Sequence, residues 1–437
     1  MNKKINNRLI VFIVLTGLIS IKAYYLNLSY QIGSYINEIA YKNGDPGHYL
    51  KIAKNISEYK VFSDNNSTVA SESATWRPPF WPFVLSQFYT FSSNLIVLII
   101  LKSILEIGLM LFVLLKLKKN LNLKLGHLLP FLLIFVEPQY LKYSITFWSE
   151  SITAVLILLL FALFISLRNL RRYHIAIPIL SSIIILTHPV SIFFVLLLFT
   201  IYLLYNIKSN FKITILHGLI FSAIVFVWPI RNHFTFDKGI YLTASQGSSL
   251  SKGWNEDVSS QFNNVDGDLA DENLNLKYVD SISISTINNS ILNLSKVYTT
   301  GTKNFIKKIS FKERIKIIFV KVKSNFNPIP EKPKPGFIES VSIIFRIIYL
   351  IVFIQLIIRL FIKRKFNLDL IKDKVFLVVL AIFFGQIMMS IYLYTGLRFN
   401  SIYGLTLLCS LFILNLESII SILNYFIKRH IIKKKVK

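Results

Sequence analysis

Leu95-Ile96-Val97-Leu98-Ile99-Ile100-Leu101-Lys102-Ser103-Ile104-Leu105-Glu106-Ile107-Gly108-Leu109-Met110-Leu111-Phe112-Val113-Leu114-Leu115 is a run of 21 residues in which only Lys102, Ser103 and Glu106 are polar. As a helix it rises about 30 Å, the thickness of a bilayer's hydrocarbon core. Comparable apolar spans are expected at 9–28, 125–141, 147–167, 174–188, 190–206, 213–230, 340–361, 374–394 and 400–427. Those at 125–141 and 174–188 are short and interrupted by Pro130 and Pro178. The composition agrees: 54% of the 437 residues are hydrophobic, 14% aromatic and only 16% charged, which excludes an ordinary soluble domain. The expected fold is an all-α polytopic integral membrane protein with about ten transmembrane helices, read as one membrane domain over 1–437.

The basic residues orient these helices. With a cytoplasmic N-terminus, the loops 1–8, 116–124, 168–174, 206–214, 359–374 and 428–437 lie inside and carry 24 of the 49 Lys and Arg. The short loops 137–149, 188–189 and 395–400 lie outside and hold only Lys142 and Arg398, the asymmetry that the positive-inside rule requires. The chain therefore divides into a first helix (9–28), a first outer loop (29–94), helices 2–7 (95–230), a large outer segment (231–339), helices 8–10 (340–427) and a basic cytoplasmic tail (428–437).

The formal charge of +27 does not indicate nucleic acid, because half of the basic residues set topology and the aromatics sit inside apolar spans. Met1 to Ser20 resembles a secretory signal, yet no Ala-x-Ala-like site follows, so a retained first helix is expected. Cys409 is the only cysteine, which excludes an internal disulfide and a thiolate metal cluster. Enrichment in Ile, Lys, Asn and Leu suggests an AT-rich genome, and no internal repeat is visible.

In the first outer loop, Gly44-Asp45-Pro46-Gly47-His48-Tyr49 reads as a helix start, with Asp45 as N-cap and proline at the first helical position. Beyond it Tyr49, Ile52, Ala53 and Ile56 share one face while Lys51, Lys54 and Glu58 occupy the other, so a helix along the membrane interface is expected. Trp76-Arg77-Pro78-Pro79-Phe80-Trp81-Pro82 cannot be regular helix throughout. It reads as a rigid turn at headgroup level with Trp76 and Trp81 as anchors. Read locally, Asp45 is a cap and Arg77 a partner of a lipid phosphate.

These residues in this order resemble the glycosyltransferase C superfamily, and within it the dolichyl-phosphate-mannose protein mannosyltransferase and aminoarabinose transferase group. Three later segments add to the resemblance: Glu137-Pro138-Gln139-Tyr140-Leu141-Lys142-Tyr143-Ser144 running to Ser149-Glu150, Trp228-Pro229-Ile230-Arg231-Asn232 followed by Gly239 and Gly253-Trp254-Asn255, and Arg398-Phe399. Together they span about residues 20 to 410. Two departures stand out: a single acid, Asp45, where many members have two, and His188-Pro189 where Arg-Pro is common.

The resemblance implies a membrane glycosyltransferase that moves a sugar from a polyprenyl-phosphate donor to an acceptor hydroxyl on a glycan, lipid or protein, with inversion. It implies Asp45 as the catalytic base, Arg77, Arg231 and Arg398 on the donor phosphate, and His48, Tyr49, Glu150, His188 and Asn232 as substrate-positioning residues. Guanidinium groups suit the phosphate because they bind oxygens bidentately and stay charged in a low dielectric. The partners would be the lipid-linked donor, the acceptor and membrane lipids, and not nucleic acid. The location would be a bacterial inner (plasma) membrane, both termini cytoplasmic and the active site on the outer face.

For Glu150, near the outer end of a span, the residues alone leave acceptor positioning and an ion pair open. Glu106 and Glu417 lie deeper, and interhelical pairing is expected. No cofactor is implied with certainty. A divalent cation stays open because some relatives use one, although Asp266-Gly267-Asp268 with Asp271-Glu272 lacks EF-hand spacing. In the second outer segment, 240–295 is polar and reads as a cover or acceptor surface. Over 311–323, Phe311, Ile315, Ile318 and Val322 share a face among Lys312, Arg314, Lys316, Lys321 and Lys323, the pattern of a basic interfacial helix. Pro328 to Pro335 reads as a stiff linker. Two other classes remain open: a lipid-linked oligosaccharide polymerase or ligase, and a transporter, which would favour polar residues at mid-membrane.

Overall fold

The computed structural model describes residues 44–123, 136–167, 175–207, 210–260, 271–280, 290–326, 371–394 and 397–415, with isolated helical positions within 12–24 and 343–358. Among the described residues every regular element is helical. Helices α1 (Asp45–Tyr59) and α2 (Phe80–Tyr89) precede the long α3 (Leu95–Asn120), the short α4 (Pro138–Ser144), α5 (Glu150–Ile165), α6 (Ala176–Thr187), α7 (Ile192–Ile207) and α8 (Phe211–Phe236). Then come α9 (Gln246–Gly253), α10 (Ile291–Lys308), α11 (Phe311–Phe326), α12 (Ile371–Tyr392) and α13 (Leu397–Leu414).

Four described helical stretches are long and apolar enough to cross a membrane: Leu95–Asn120, Pro189–Ile207, Phe211–Phe236 and Lys374–Tyr392. They coincide with the expected spans 95–115, 190–206, 213–230 and 374–394. The architecture is that of a helical membrane protein. Shorter apolar helices, Glu150–Ile165, Ala176–Thr187 and Ile402–Leu414, fall in the spans expected at 147–167, 174–188 and 400–427. Most of 9–28, half of 340–361 and all of 416–427 lie outside the described residues. So do 124–135, and the end of the expected 125–141 span belongs instead to α4, which starts at Pro138 after Glu137 caps it.

At the centre stands α5, fifteen of whose sixteen residues are buried. A helix apolar on all sides must be enclosed, and α3, α4, α6, α12 and α13 pack around it. Because lipid offers no hydrophobic drive for helix association, close backbone approach matters. Gly385 of α12 provides one, since a Cβ there would lie 2.9 Å from the Phe194 backbone nitrogen of α7. By contrast α8 is peripheral: Phe226, Val227 and Ile230 are exposed. Asn210 starts it by accepting the Ile213 N–H at 3.1 Å.

Beneath α4 the apolar packing encloses charge. Glu106 Oε2 lies 2.6 Å from Lys22 Nζ and accepts from Tyr140 Oη at 3.0 Å. Its Oε1 accepts from Ser151 Oγ at 2.7 Å and lies 3.1 Å from Lys102 Nζ. Lys102 also donates to the Tyr143 and Ser144 carbonyls at 2.9 and 3.1 Å. The interhelical pairing expected of Glu106 is therefore found, and it ties the first helix, α3, α4 and α5 together. Glu417 lies outside the described residues.

The α11 helix shows two apolar sides. Ile317, Val320 and Lys321 are buried, with Lys321 Nζ donating to the Leu393 carbonyl at 3.0 Å and sitting 4.2 Å from the Trp254 ring centre. Phe311, Ile315 and Phe319 stay exposed beside Lys312, Lys316 and Lys323. The exposed apolar stripe differs from the expected one: Phe311 and Ile315 are exposed, Phe319 joins them, and Ile318 packs inward against the Trp254 cluster. The expected linker at 328–335 lies outside the described residues.

Candidate functional site

The start of α1 differs from the expected cap. Gly44, not Asp45, is the N-cap, at a φ of 120° that side-chain-bearing residues rarely adopt, and Asp45 is already the first helical residue. This puts the Asp45 carboxylate inside the first turn rather than ahead of it. It pairs instead with Arg77, whose Nη2 donates to Asp45 Oδ1. The periodicity of α1 is as expected, with Tyr49, Ile52 and Ala53 buried and Lys51, Lys54 and Glu58 exposed. The apolar face is covered by α2, against which α1 packs.

The turn at Trp76-Arg77-Pro78-Pro79 is built as a short 3₁₀ helix, Ser73–Trp76, followed by extended Arg77 and by Pro79 as the N-cap of α2. Trp81 is not an interface anchor. It is fully buried and donates from Nε1 to the Phe147 carbonyl at 2.8 Å, pinning α2 to the segment before α5. Proline supplies the bend, and the indole fixes its direction.

Around Asp45 and Arg77 a continuous polar array forms. Arg77 Nε donates to His48 Nδ1 at 3.2 Å, and its guanidinium carbon lies 5.5 Å from the Tyr49 ring centre. His48 Nε2 meets Asp64 Oδ2 at 3.0 Å. Asp64 Oδ1 accepts from Ser71 Oγ and Ser73 Oγ, each at 2.5 Å. Burial alone would raise the Asp64 carboxyl, but the hydrogen bonds from His48, Ser71 and Ser73 outweigh it and hold it well below the usual carboxylate range. Burial pushes the Tyr49 phenol well up, so it stays neutral.

The array continues across the bundle. Tyr49 Oη and Ser149 Oγ share a hydrogen bond of 3.1 Å at the foot of α5. The next residue, Glu150, is buried and places Oε1 3.7 Å from His188 Nε2. The His188 ring in turn packs edge-on against Phe399, with centroids 5.9 Å apart. Six of the expected residues, Asp45, His48, Tyr49, Arg77, Glu150 and His188, are thereby brought into one region from four separate stretches of chain.

Arg231 and Asn232 form a neighbouring unit. The Arg231 guanidinium sits 5.8, 5.3 and 5.3 Å from the ring centres of Phe62, Trp228 and Phe236, and its Nη1 donates to Asn232 Oδ1 at 2.9 Å. Asn232 is buried and donates to the Ile240 carbonyl at 3.4 Å. Phe62 precedes Asp64 by two residues, so this aromatic cage borders the array. Three ring faces within 6 Å give this half-buried cation favourable cation–π contacts. Arg398 lies in the first turn of α13, next to Phe399; its side chain lies outside the described residues.

Two later stretches close over this region. The Ala244 N–H donates to the Thr75 carbonyl at 2.9 Å. Lys238 Nζ and Ser290 Oγ both donate to Glu72, at 2.7 Å each. Burial would raise the Glu72 carboxyl, and these two partners hold it down instead. A polar recess of about 330 Å³ opens here, lined by Asn65, Ser67, Ser71, Glu72, Ser73 and Ile291 among others.

Among the described residues no group of three or more His, Cys, Asp or Glu is placed to hold a metal ion. Asp45 bonds Arg77, and Asp64 bonds His48 and two serines. Residues 261–270, with Asp266 and Asp268, lie outside the described residues. Asp271 caps a 3₁₀ helix and Glu272 lies 3.4 Å from Lys252 Nζ.

Sequence reasoning did not single out Asp64, Ser71, Ser73 or Ser149. Ser149 belongs to the quoted Ser149-Glu150 pair and was within reach. Asp64 lies in a Ser- and Asn-rich loop without periodicity, where nothing local marks it. Comparison with known proteins finds no matching family, no matching curated protein and no matching solved structure.

Proposed function

We propose that this chain is a membrane glycosyltransferase that transfers a sugar from a polyprenyl-phosphate carrier to an acceptor hydroxyl of a lipid, glycan or protein. The reaction takes place on the outer face of a bacterial inner membrane. The observation that carries this reading is the Asp45–Arg77 pair, joined to His48 and Tyr49 and set beside Glu150 and His188. A carboxylate next to a guanidinium supplies both requirements of an inverting displacement. The acceptor oxygen bonds to the sugar's anomeric carbon, its proton passes to Asp45, and the bond to phosphate breaks with its electron pair moving to the phosphate oxygen.

Arg77 stabilises that developing charge, which matters more than protonation because a phosphate is already a weak base. Asp45 retains Arg77 through Oδ1, and a carboxylate offers about four lone-pair sites, so holding the guanidinium is compatible with accepting a proton at about 2.6–3.2 Å. Arg398, beside Phe399, is the second phosphate ligand in this reading. Arg231 holds the first loop against α8 through its aromatic cage, a role that supports the site from outside it.

The test is to supply the purified protein in nanodiscs with polyprenyl-phospho-sugars and candidate acceptors, and to measure released polyprenyl phosphate. A second reading, transport, is favoured by one observation: the buried Lys22–Glu106–Lys102 cluster, polar chemistry within apolar spans. Sugar crossing proteoliposomes without release of polyprenyl phosphate would select it.

A further inference from the structure

The hydrogen atoms in the chain Asp64–His48–Arg77–Asp45 can be assigned by elimination. Arg77 Nε carries a hydrogen and no lone pair, so in its 3.2 Å contact with His48 Nδ1 the ring nitrogen must accept. Nδ1 therefore bears no hydrogen. The other ring nitrogen then carries it, and Nε2–H donates to Asp64 Oδ2 at 3.0 Å. Asp64 is an acceptor on every side: Ser71 and Ser73 both donate to Oδ1. The Asp64 backbone N–H, in turn, donates to Ser71 Oγ at 3.0 Å, which fixes that serine's rotamer.

Each link removes one freedom from the next. The serines fix Asp64, Asp64 fixes the imidazole tautomer, and the imidazole lone pair fixes the guanidinium edge. The Tyr49 ring meets the guanidinium from another direction at 5.5 Å. Among the described residues, two of the five Arg77 donors are used by His48 and Asp45, which leaves the remaining N–H groups for an incoming anion. Among the described residues, the charged groups bonded to His48 are Asp64 from the following loop and Arg77 from the turn before α2.

We infer that Asp64 and His48 are a positioning pair for Arg77. Asp64 holds His48 in the Nε2–H tautomer, and His48 Nδ1 holds the guanidinium so that Arg77 and Asp45 present a preset charge pair to a lipid phosphate and an acceptor hydroxyl. The positioning itself stands on the hydrogen-bond geometry, whereas its catalytic purpose rests on the glycosyltransfer reading. Neither residue touches the reacting atoms.

The experiment has two arms, both on the full chain in nanodiscs. In the first, ¹⁵N-histidine NMR reads the His48 tautomer, its signals identified among the seven histidines by their absence in His48→Asn. The expected result is a protonated Nε2 and an unprotonated Nδ1, moving toward a tautomer mixture in Asp64→Leu. A protonated Nδ1 in the parent, or an unchanged tautomer in a folded Asp64→Leu, overturns the inference.

The second arm compares variants that each keep one half of the imidazole. His48→Asn places an amide oxygen near the Nδ1 position and keeps an acceptor for Arg77, whereas His48→Gln reaches toward Asp64 and gives up that acceptor. His48→Asn is expected to keep kcat within about fivefold, and His48→Gln to lose about 100-fold in kcat with the acceptor KM little changed, the scale of a small misplacement of a catalytic group. Equal losses in the two folded variants overturn the inference. If even the parent shows no transfer, the functional proposal fails while the NMR arm still decides the positioning pair.

Discussion

Glu106→Gln removes the carboxylate from the buried Lys22–Glu106–Lys102 cluster without changing its shape. Four contacts converge on that carboxylate: Lys22 at 2.6 Å, Ser151 at 2.7 Å, Tyr140 at 3.0 Å and Lys102 at 3.1 Å. An amide keeps one acceptor oxygen and turns an N–H₂ toward groups that are themselves donors. Two ammonium groups are then left in an interior where Lys102 and Glu106 are fully buried. Breaking a buried pair by removing one partner costs about 3–5 kcal/mol. The upper part of that range fits, because two cations rather than one lose their counter-charge.

The assay is unfolding of the purified protein in mixed micelles. Glu106→Gln should lower unfolding stability by about 4 kcal/mol, and adding Lys22→Met should recover part of the loss by removing one uncompensated charge. A loss below about 1 kcal/mol in Glu106→Gln, or a further loss in the double variant, would refute the reasoning. In that case the cluster would be hydrated or neutral rather than a dry ion cluster.

Three further outcomes are expected. Because the folded Asp64 carboxyl lies below its ordinary value of about 3.9, Asp64 stabilises the fold fully above that pH and progressively less as pH falls through the folded value; hydrogen exchange of the 60–76 backbone should show this acid loss in the parent and not in Asp64→Asn. Spin labels at Ile315 and Phe319 should be reached by oxygen in preference to a water-soluble nickel reagent, whereas a label at Lys312 should show the reverse; equal access to water at all three would remove α11 from the interface. Gly253→Ala should destabilise by about 1–3 kcal/mol, because a Cβ there would lie 2.4 Å from the Leu393 carbonyl oxygen, a backbone atom that cannot turn aside.

Much of the fold was legible because bilayer thickness imposes a length on every span, and long apolar runs such as Leu95–Asn120 have little alternative. The α1 face was legible for the same kind of reason, since a 3.6-residue period fixes which side is apolar. What periodicity does not specify is the covering surface: Tyr49 and Ala53 share a cluster with Trp81 and Leu85 of α2, and Trp81 points into the core. The Asp45–Arg77 pair was visible only as two isolated residues 32 positions apart. Its closure depends on Gly44 taking the cap position, a backbone choice that glycine permits and that a capping aspartate conceals. Lys22 and Lys102 carried an unused signal, since lysines inside apolar spans next to one glutamate require a shared interior partner.

The most direct test of the central claim compares the parent with Asp45→Asn, both purified in nanodiscs and given polyprenyl-phospho-sugars with acceptor hydroxyls. The parent should release polyprenyl phosphate and form the glycosylated acceptor. A folded Asp45→Asn variant should be slower by about 10²–10⁴-fold, the contribution of a positioned general base. Turnover by that variant equal to the parent's would contradict the assignment of Asp45 as the base.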